Sequence, residues 1–466
     1  MKRLFALAVV LALSLMGIGC GSNSSSSPNA NAQGAVFVTG EDAPLSSVVG
    51  FSLTLNSVTL NGQDGTTATV ISTPTTVDFA RLLGLRSPLA FNAVSPGTYT
   101  SATFIVASPV ISYVDMTQNP PALNTINGAL PQSPDTITVN FPTPMVVGKN
   151  GVAGLKMEVD IRQSVSVDGS GQIVLNGSGQ AVVNPVIHIK ATRPSDPDGQ
   201  VTDLMGGLVS VSASNDSFVL QGPYGRQLTV FVNSSTQFNS GWSINNLAAP
   251  AYVAVQGQFQ GDGSLLASGV EVITTAQSFV SGRVLQVGTN GSGHLQVTMW
   301  IGETGADIVS WVDTVQTIDI NAVTQYDICF MNGPVINALF DRTSIEVGQR
   351  IFIGGSFAGG VFTPTMISLR LQGLYGTFSP GTVVVGDVNQ GSFQISNNGL
   401  VGYSVGGPVT VNTYNATYFY NLTGLGQLQS TQTAIPLVSG GLLLKNPLSG
   451  TPQFYAGVVA DPPQGN

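Results

Sequence analysis

The sequence predicts an all-β protein, an N-terminal β-sandwich followed by about three small OB-like or related β-barrel domains. Three observations predict it. Charged residues make up only 8% of the 466, against about a quarter in an ordinary soluble chain, so the long polar faces of amphipathic helices cannot be built. Gly (56) and Pro (26) are abundant, and both disfavour helix interiors. Apolar residues also alternate at period two with Ser, Thr, Asn and Gln in run after run, as half-buried strands require. With 42% apolar residues there is material for several cores, about three or four for a chain of this length.

The chain opens with Lys2-Arg3, an apolar run from Leu4 to Ile18 and Gly19-Cys20-Gly21. Two basic residues, an apolar run too short to span a bilayer comfortably and small residues at its exit read as a signal peptide over residues 1–19. Cys20 behind Gly17-Ile18-Gly19 resembles a bacterial lipoprotein signal, which implies a diacylglyceryl-modified thiol at a new N-terminus. Gly21 in place of Asp after that cysteine implies sorting to the outer membrane or cell surface. The same small residues also suit an ordinary signal peptidase, which would release a secreted protein. Residues 20–34, rich in Ser and Asn, contain nothing to bury and read as a flexible tether reaching about 20 Å.

Residues 35–192 are expected to form the sandwich. Ala35 to Thr39 is strand-like, Glu41-Asp42-Ala43-Pro44 reads as a turn, and Gly50 to Leu60 alternates apolar and hydroxyl residues. Val77 to Leu83 could form a helical turn, and Pro96-Gly97 turns the chain into another strand. From Leu155 to Arg162, Leu155, Met157, Val159 and Ile161 share one face, while Lys156, Glu158, Asp160 and Arg162 share the other, which reads as solvated. Pro185 to Lys190 closes the domain. With its Asp42-Ala43-Pro44 turn and Pro96-Gly97-Thr98-Tyr99-Thr100 motif, this stretch resembles a bacterial lipoprotein domain family of unknown function, which implies a β-sandwich and no agreed activity.

A polar linker, 193–205, precedes three units, 206–278, 279–372 and 373–466. They open on Gly207-Leu208-Val209, Gly282-Arg283-Val284 and Tyr375-Gly376-Thr377. Later in each come Thr236-Gln237-Phe238, Thr324-Gln325-Tyr326 and Ala416-Thr417-Tyr418. The first two share Val253 to Gly257 and Ile351 to Gly355, whereas the third reads as degenerate at its end. Spacings of this kind mark repeated units. The pattern resembles tandem copies of a second small β-barrel family of unknown function.

The chemistry is sparse. A net charge of −9 without a basic cluster disfavours nucleic acid. With Cys20 assigned to the lipid, Cys329 remains alone and reads as a buried small hydrophobe. Gly402-Tyr403-Ser404-Val405-Gly406 matches a nucleophile elbow, but Gly407-Pro408 forbids the following helix and both histidines, His188 and His294, precede Ser404. Glu158 and Asp160 are the one carboxylate pair on a common strand face, flanked by Lys156 and Arg162. Asp196, Asp198 and Asp203 are weak Ca²⁺ candidates that lack the ligand series of an EF-hand loop. Trp300 and Trp311 could stack on sugar, with core packing as the competing reading. No zinc set or phosphate loop is present, and no cofactor is expected.

The expectation is therefore a lipid-anchored, exported envelope protein acting as a non-enzymatic binding or scaffolding module. Its partners would be the membrane, through the lipid, and envelope proteins or polysaccharide. The alternative is a carboxylate-dependent hydrolase or a Ca²⁺- or carbohydrate-binding adhesin.

Overall fold

Strand follows strand from Gly34 to Ala460 in the computed structural model. It describes residues 33–461 apart from 44–47, 83–86, 116–117, 169–172, 197–198, 223–226, 276–277, 330–338, 387–388, 398–407 and 446–449. Cys20, Asp198 and the Gly402 to Gly406 elbow with Ser404 lie outside the described residues. No described helix is long and apolar enough to cross a membrane.

The sandwich has two sheets. Its strands are β1 (Gly34–Ala43), β2 (Val48–Gly62), β3 (Thr67–Ile71), β4 (Thr75–Asp78), β5 (Ser87–Val94), β6 (Gly97–Asp115), β7 (Ala122–Ala129), β8 (Asp135–Val147), β9 (Val152–Asp160), β10 (Ala181–Val182) and β11 (Ile187–Thr192). One sheet runs β11-β9-β1-β5, and the other runs β10-β7-β6-β2-β3 with β4 on β2 and β8 on β6. Alternating residues of both sheets, among them Val36, Phe51, Leu53, Phe104, Leu155 and Met157, interdigitate in one core. Tyr99 is buried in it and its hydroxyl donates to the Ser95 carbonyl at 2.7 Å. That bond gives the Pro96-Gly97 turn a physical anchor.

Three expectations need correction here and a fourth is narrowed. The Glu41-Asp42-Ala43 segment is not yet a turn, because β1 continues to Ala43 in parallel register with β9. The Leu155 to Arg162 strand stops at Asp160, whose carboxylate Oδ1 accepts from Gln163 N at 2.9 Å and caps a helical turn, Ile161–Ser164. The charged face of β9 is not solvated either: Lys156 and Asp160 are both buried. The helical turn expected near Val77 is a single 3₁₀ turn, Phe79–Leu82.

The first barrel comprises β12 (Val201–Ser212), β13 (Ser217–Gln221), β14 (Gln227–Phe231), β15 (Gln237–Phe238), β16 (Tyr252–Phe259) and β17 (Leu265–Thr274). β12 thus begins inside the stretch read as linker. The order β14-β13-β12-β16-β17 closes through parallel β14–β17 pairing, giving a five-stranded OB-like barrel. The second unit has β18 (Ser278–Thr289), β19 (Leu295–Thr304), β20 (Thr314–Asp319), β21 (Gln325–Ile328), β22 (Arg350–Ala358) and β23 (Val361–Leu369) in the order β20-β19-β18-β22-β23-β21. The third has β24 (Gln372–Phe378), β25 (Val384–Val385), β26 (Gly391–Asn397), β27 (Val409–Thr413), β28 (Tyr418–Tyr420), β29 (Pro436–Lys445) and β30 (Pro452–Ala460). It closes through β24–β26 and parallel β27–β30 pairing.

The pairing order of the first sheet recurs in the second, without a closing pair among the described residues, and in the third with β25 added beside β26, and side-chain details recur with it. Ladder irregularities fall at Gly257, Gly355 and Gly441. A Cβ there would lie 2.2, 2.2 and 2.0 Å from the carbonyl oxygens of Leu266, Thr363 and Tyr455, so each bend needs glycine. The end of the third unit, degenerate in sequence, therefore keeps the geometry. Thr236 Oγ1 donates to Ala267 O at 2.7 Å, and Thr417 Oγ1 to Ala456 O at 2.8 Å. The third motif is accordingly Thr417-Tyr418-Phe419, one residue later than the sequence pattern suggested.

Residues Gln33–Asn466 form one compact unit, joined at seams between the sheets. Phe37 stacks on Phe259 with centroids 4.9 Å apart. Tyr252, Phe279 and Phe352 stack between the first and second barrels. On the covered face of the β9–β11 pair, Lys156 and Lys190 lie over the Tyr420 ring at 5.5 and 4.2 Å, while Arg162 of the helical turn after β9 lies over Tyr375 at 4.8 Å.

Candidate functional site

Where the sandwich and the first two barrels meet, they enclose a cavity of about 450 Å³. β4 and the 3₁₀ turn supply Asp78, Arg81 and Leu82; β12 supplies Thr202 to Met205; β18, β19 and the 3₁₀ segment Ala306–Trp311 supply Arg283, Trp300, Glu303, Thr304 and Val309. A smaller cavity of about 140 Å³ adjoins it and shares Ser87 and Leu204.

Ion pairs fix the walls. Asp78 Oδ1 accepts from Phe51 N at 2.8 Å and Oδ2 from Arg81 Nε at 2.7 Å. Burial raises the pKa of Asp78, and Arg81 offsets only part of that. Arg81 reaches across the seam, with Nη2 2.7 Å from Asp313 Oδ1, Nη1 donating to Gly302 O and the guanidinium 5.4 Å above the Trp300 ring. Tyr252 donates its hydroxyl to Glu303 Oε1. Burial lifts the Glu303 carboxyl above its ordinary range despite that bond and the neighbouring Arg350 and Arg81. Burial, reinforced by Glu303, pushes the Tyr252 phenol well above its usual value, so it remains a donor.

Behind this wall lies a buried charge cluster. Asp203 has φ +47° beside a β12–β16 register shift, a left-handed conformation that Asp tolerates better than most residues and that turns its side chain inward. Asp203 Oδ2 accepts from Arg350 Nη1 at 2.9 Å, and Oδ1 accepts from Arg370 Nη2. Arg370 Nη1 donates to Glu271 Oε1 at 2.7 Å. Burial opposes the charge on Arg370, but Asp203, Cys329 and Glu271 outweigh it and hold its pKa well above the ordinary value. Cys329 Sγ lies 3.5 Å from Glu271 Oε2; the residue is buried, but among carboxylates rather than in a purely apolar setting. Asp203, Glu271 and Cys329 could offer ligand atoms within 4.8 Å of one another. The carboxylates already hold two guanidinium groups, whose charge opposes a metal ion.

The sequence candidates scatter. Asp196 stays in the linker, where Oδ2 accepts from Arg193 N at 2.9 Å, whereas Asp203 belongs to the buried cluster. Both Asp160 oxygens are engaged locally, Oδ2 accepting from Gln163 Nε2 at 2.6 Å. Trp311 packs edge-on against Phe357 and Phe362, while Trp300 lines the cavity. Asp78, Arg81, Tyr252, Glu271, Glu303, Arg350 and Arg370 were not anticipated. A signal existed for two of them: Glu271 lies in Val270-Glu271-Val272-Ile273 and Arg370 in Leu369-Arg370-Leu371, charges inside apolar strand runs that only a paired partner makes tolerable.

Residues 206–271, spanning the first barrel from β12 into β17, match the profile of a family described as a domain of unknown function, DUF5666. A comparison with curated proteins gave no match.

Proposed function

We propose that this protein is an exported, lipid-anchored component of the cell envelope, at the outer membrane or cell surface, that binds a ligand without transforming it. In this reading residues 1–19 are a signal peptide, Cys20 carries the lipid, and the second and third barrels are further copies of the small domain matched at 206–271. The recurrent strand order and the glycines Gly257, Gly355 and Gly441 support the repeat reading. The observation that carries the binding role is the cavity at the three-way junction, walled by side chains from the sandwich and two barrels and pinned by Arg81 and Arg350. Such clefts at domain junctions are the usual place for a ligand.

Two measurements test it. The intact mass of the mature N-terminus should correspond to acylated Cys20; an unmodified Cys20 makes the protein secreted. A photo-cross-linking side chain in place of Val309, which is 67% exposed and lines the cavity, should capture a ligand in intact cells that the same probe at Val146, 69% exposed on the sandwich, does not. Equal labelling at both positions removes the binding role of the cavity.

A further inference from the structure

We infer that the three-way cavity is a site for a neutral carbohydrate of about one or two rings. This deepens the binding reading above and rests on it.

Size comes first. A cavity of about 450 Å³ lies within the range of small-molecule sites and is far too small for a folded partner. Charge comes next. Three arginines and three carboxylates line the wall, namely Arg81, Arg283, Arg350, Asp78, Asp203 and Glu303. They largely answer one another: Arg81 holds Asp78, Arg350 holds Asp203, and Glu303 accepts from Tyr252. An anion or a cation entering here meets both signs at close range, so neither is favoured by the field. A neutral ligand pays no such desolvation penalty for its own charge.

The third argument is hydrogen bonding. Ser87 Oγ, Thr304 Oγ1 and Trp300 Nε1 are buried atoms with no hydrogen-bond partner, and all three residues line this cavity. Ser87 and Trp300 are 6% and 5% exposed. Buried polar groups are nearly always paired, and these three orphans, one from β5 of the sandwich and two from β19 of the second unit, point to an occupant bearing several hydroxyls. The same lining includes Leu82, Met205, Val309 and Val312, apolar surface suited to the C–H faces of a sugar ring. A lipid tail would leave the polar atoms unmet, and water alone would leave the apolar ones wet.

The test uses the full chain in detergent, titrated calorimetrically with glucose, N-acetylglucosamine, maltose and cellobiose, and with glucosamine and glucuronic acid as charged counterparts. At least one neutral sugar should bind saturably, with the charged forms weaker by roughly tenfold, a difference of about 1.4 kcal/mol. Val309→Arg should weaken binding by at least about tenfold with an unchanged melting temperature, since Val309 is exposed. Ser87→Ala should weaken it by a smaller factor. Absence of saturable binding to all four neutral sugars, equal binding of charged forms, or indifference to both substitutions would each overturn the assignment. If the Val309 cross-linker nevertheless captures a protein or lipid specifically, the binding reading survives and the carbohydrate class does not.

Discussion

Arg370 Nη1 lies 2.7 Å from Glu271 Oε1 across the boundary between the second and first barrels, with both side chains buried. Removing one partner strands the other charge in a low-dielectric interior. Arg370→Met is therefore expected to cost about 3–5 kcal/mol, measured by urea denaturation. Arg370→Met combined with Glu271→Leu and Asp203→Asn should be far less damaging than the sum of the single changes. Additive losses would show that the charges act independently.

Glu303 gives the pH dependence. Its folded pKa is raised above the ordinary 4.5 by burial, so the native state holds the proton more tightly than the unfolded chain. The sign follows from linkage: stability is highest below the ordinary value, falls as pH rises toward the raised value, and is lowest above it. Asp78 contributes in the same direction from its own ordinary value of 3.8. Glu303→Gln, which keeps an acceptor for Tyr252, should raise the melting temperature at neutral pH and flatten its decline between mildly acidic and neutral buffers. An unchanged pH profile would contradict the assignment.

The barrel bends predict a pattern rather than a single loss. Gly257→Ala, Gly355→Ala and Gly441→Ala should each destabilise by about 1–3 kcal/mol through overpacking against a carbonyl oxygen. Gly207→Ala, where a Cβ meets nothing within 4 Å, should stay within about 0.5 kcal/mol of the parent. Equal effects at all four positions would remove the argument for a shared bend.

Cys329 reports on the seam. Being buried beside Asp203 and Glu271, its thiol should resist a water-soluble disulfide reagent in the native state and react in urea. In Arg370→Met it should react faster under native conditions, because the cluster that covers it has lost its central cation. Fast modification of the parent protein would contradict the burial.

The all-β class was legible because its signal is local: period-two alternation and a scarcity of charge act residue by residue. The barrels were partly legible because Gly257 and Gly355 must be glycine and Thr236 must be hydroxylic, whatever surrounds them. Gly441 escaped notice because the bend depends on one atom's absence while its flanking residues vary freely. The cavity was illegible because Asp78 and Arg81, Met205, and Trp300 and Glu303 reach it from three separate sheets, and no spacing in the chain encodes their meeting. The solvated face read into β9 failed for the same reason, since Tyr375 and Tyr420, which cover it, lie more than 200 residues further along.

At least six of the chain's 15 Lys and Arg, Arg81, Lys156, Arg162, Lys190, Arg350 and Arg370, are engaged at seams between sheets. Cations that other proteins leave unengaged at the surface are here tied to the joints between sheets, while acidic side chains such as Asp64, Asp216, Asp262, Asp307 and Asp341 stay exposed. The acidic excess of the chain therefore falls on the outside. A cationic partner should be drawn toward it from a distance and an anionic one slowed, an effect that added salt screens.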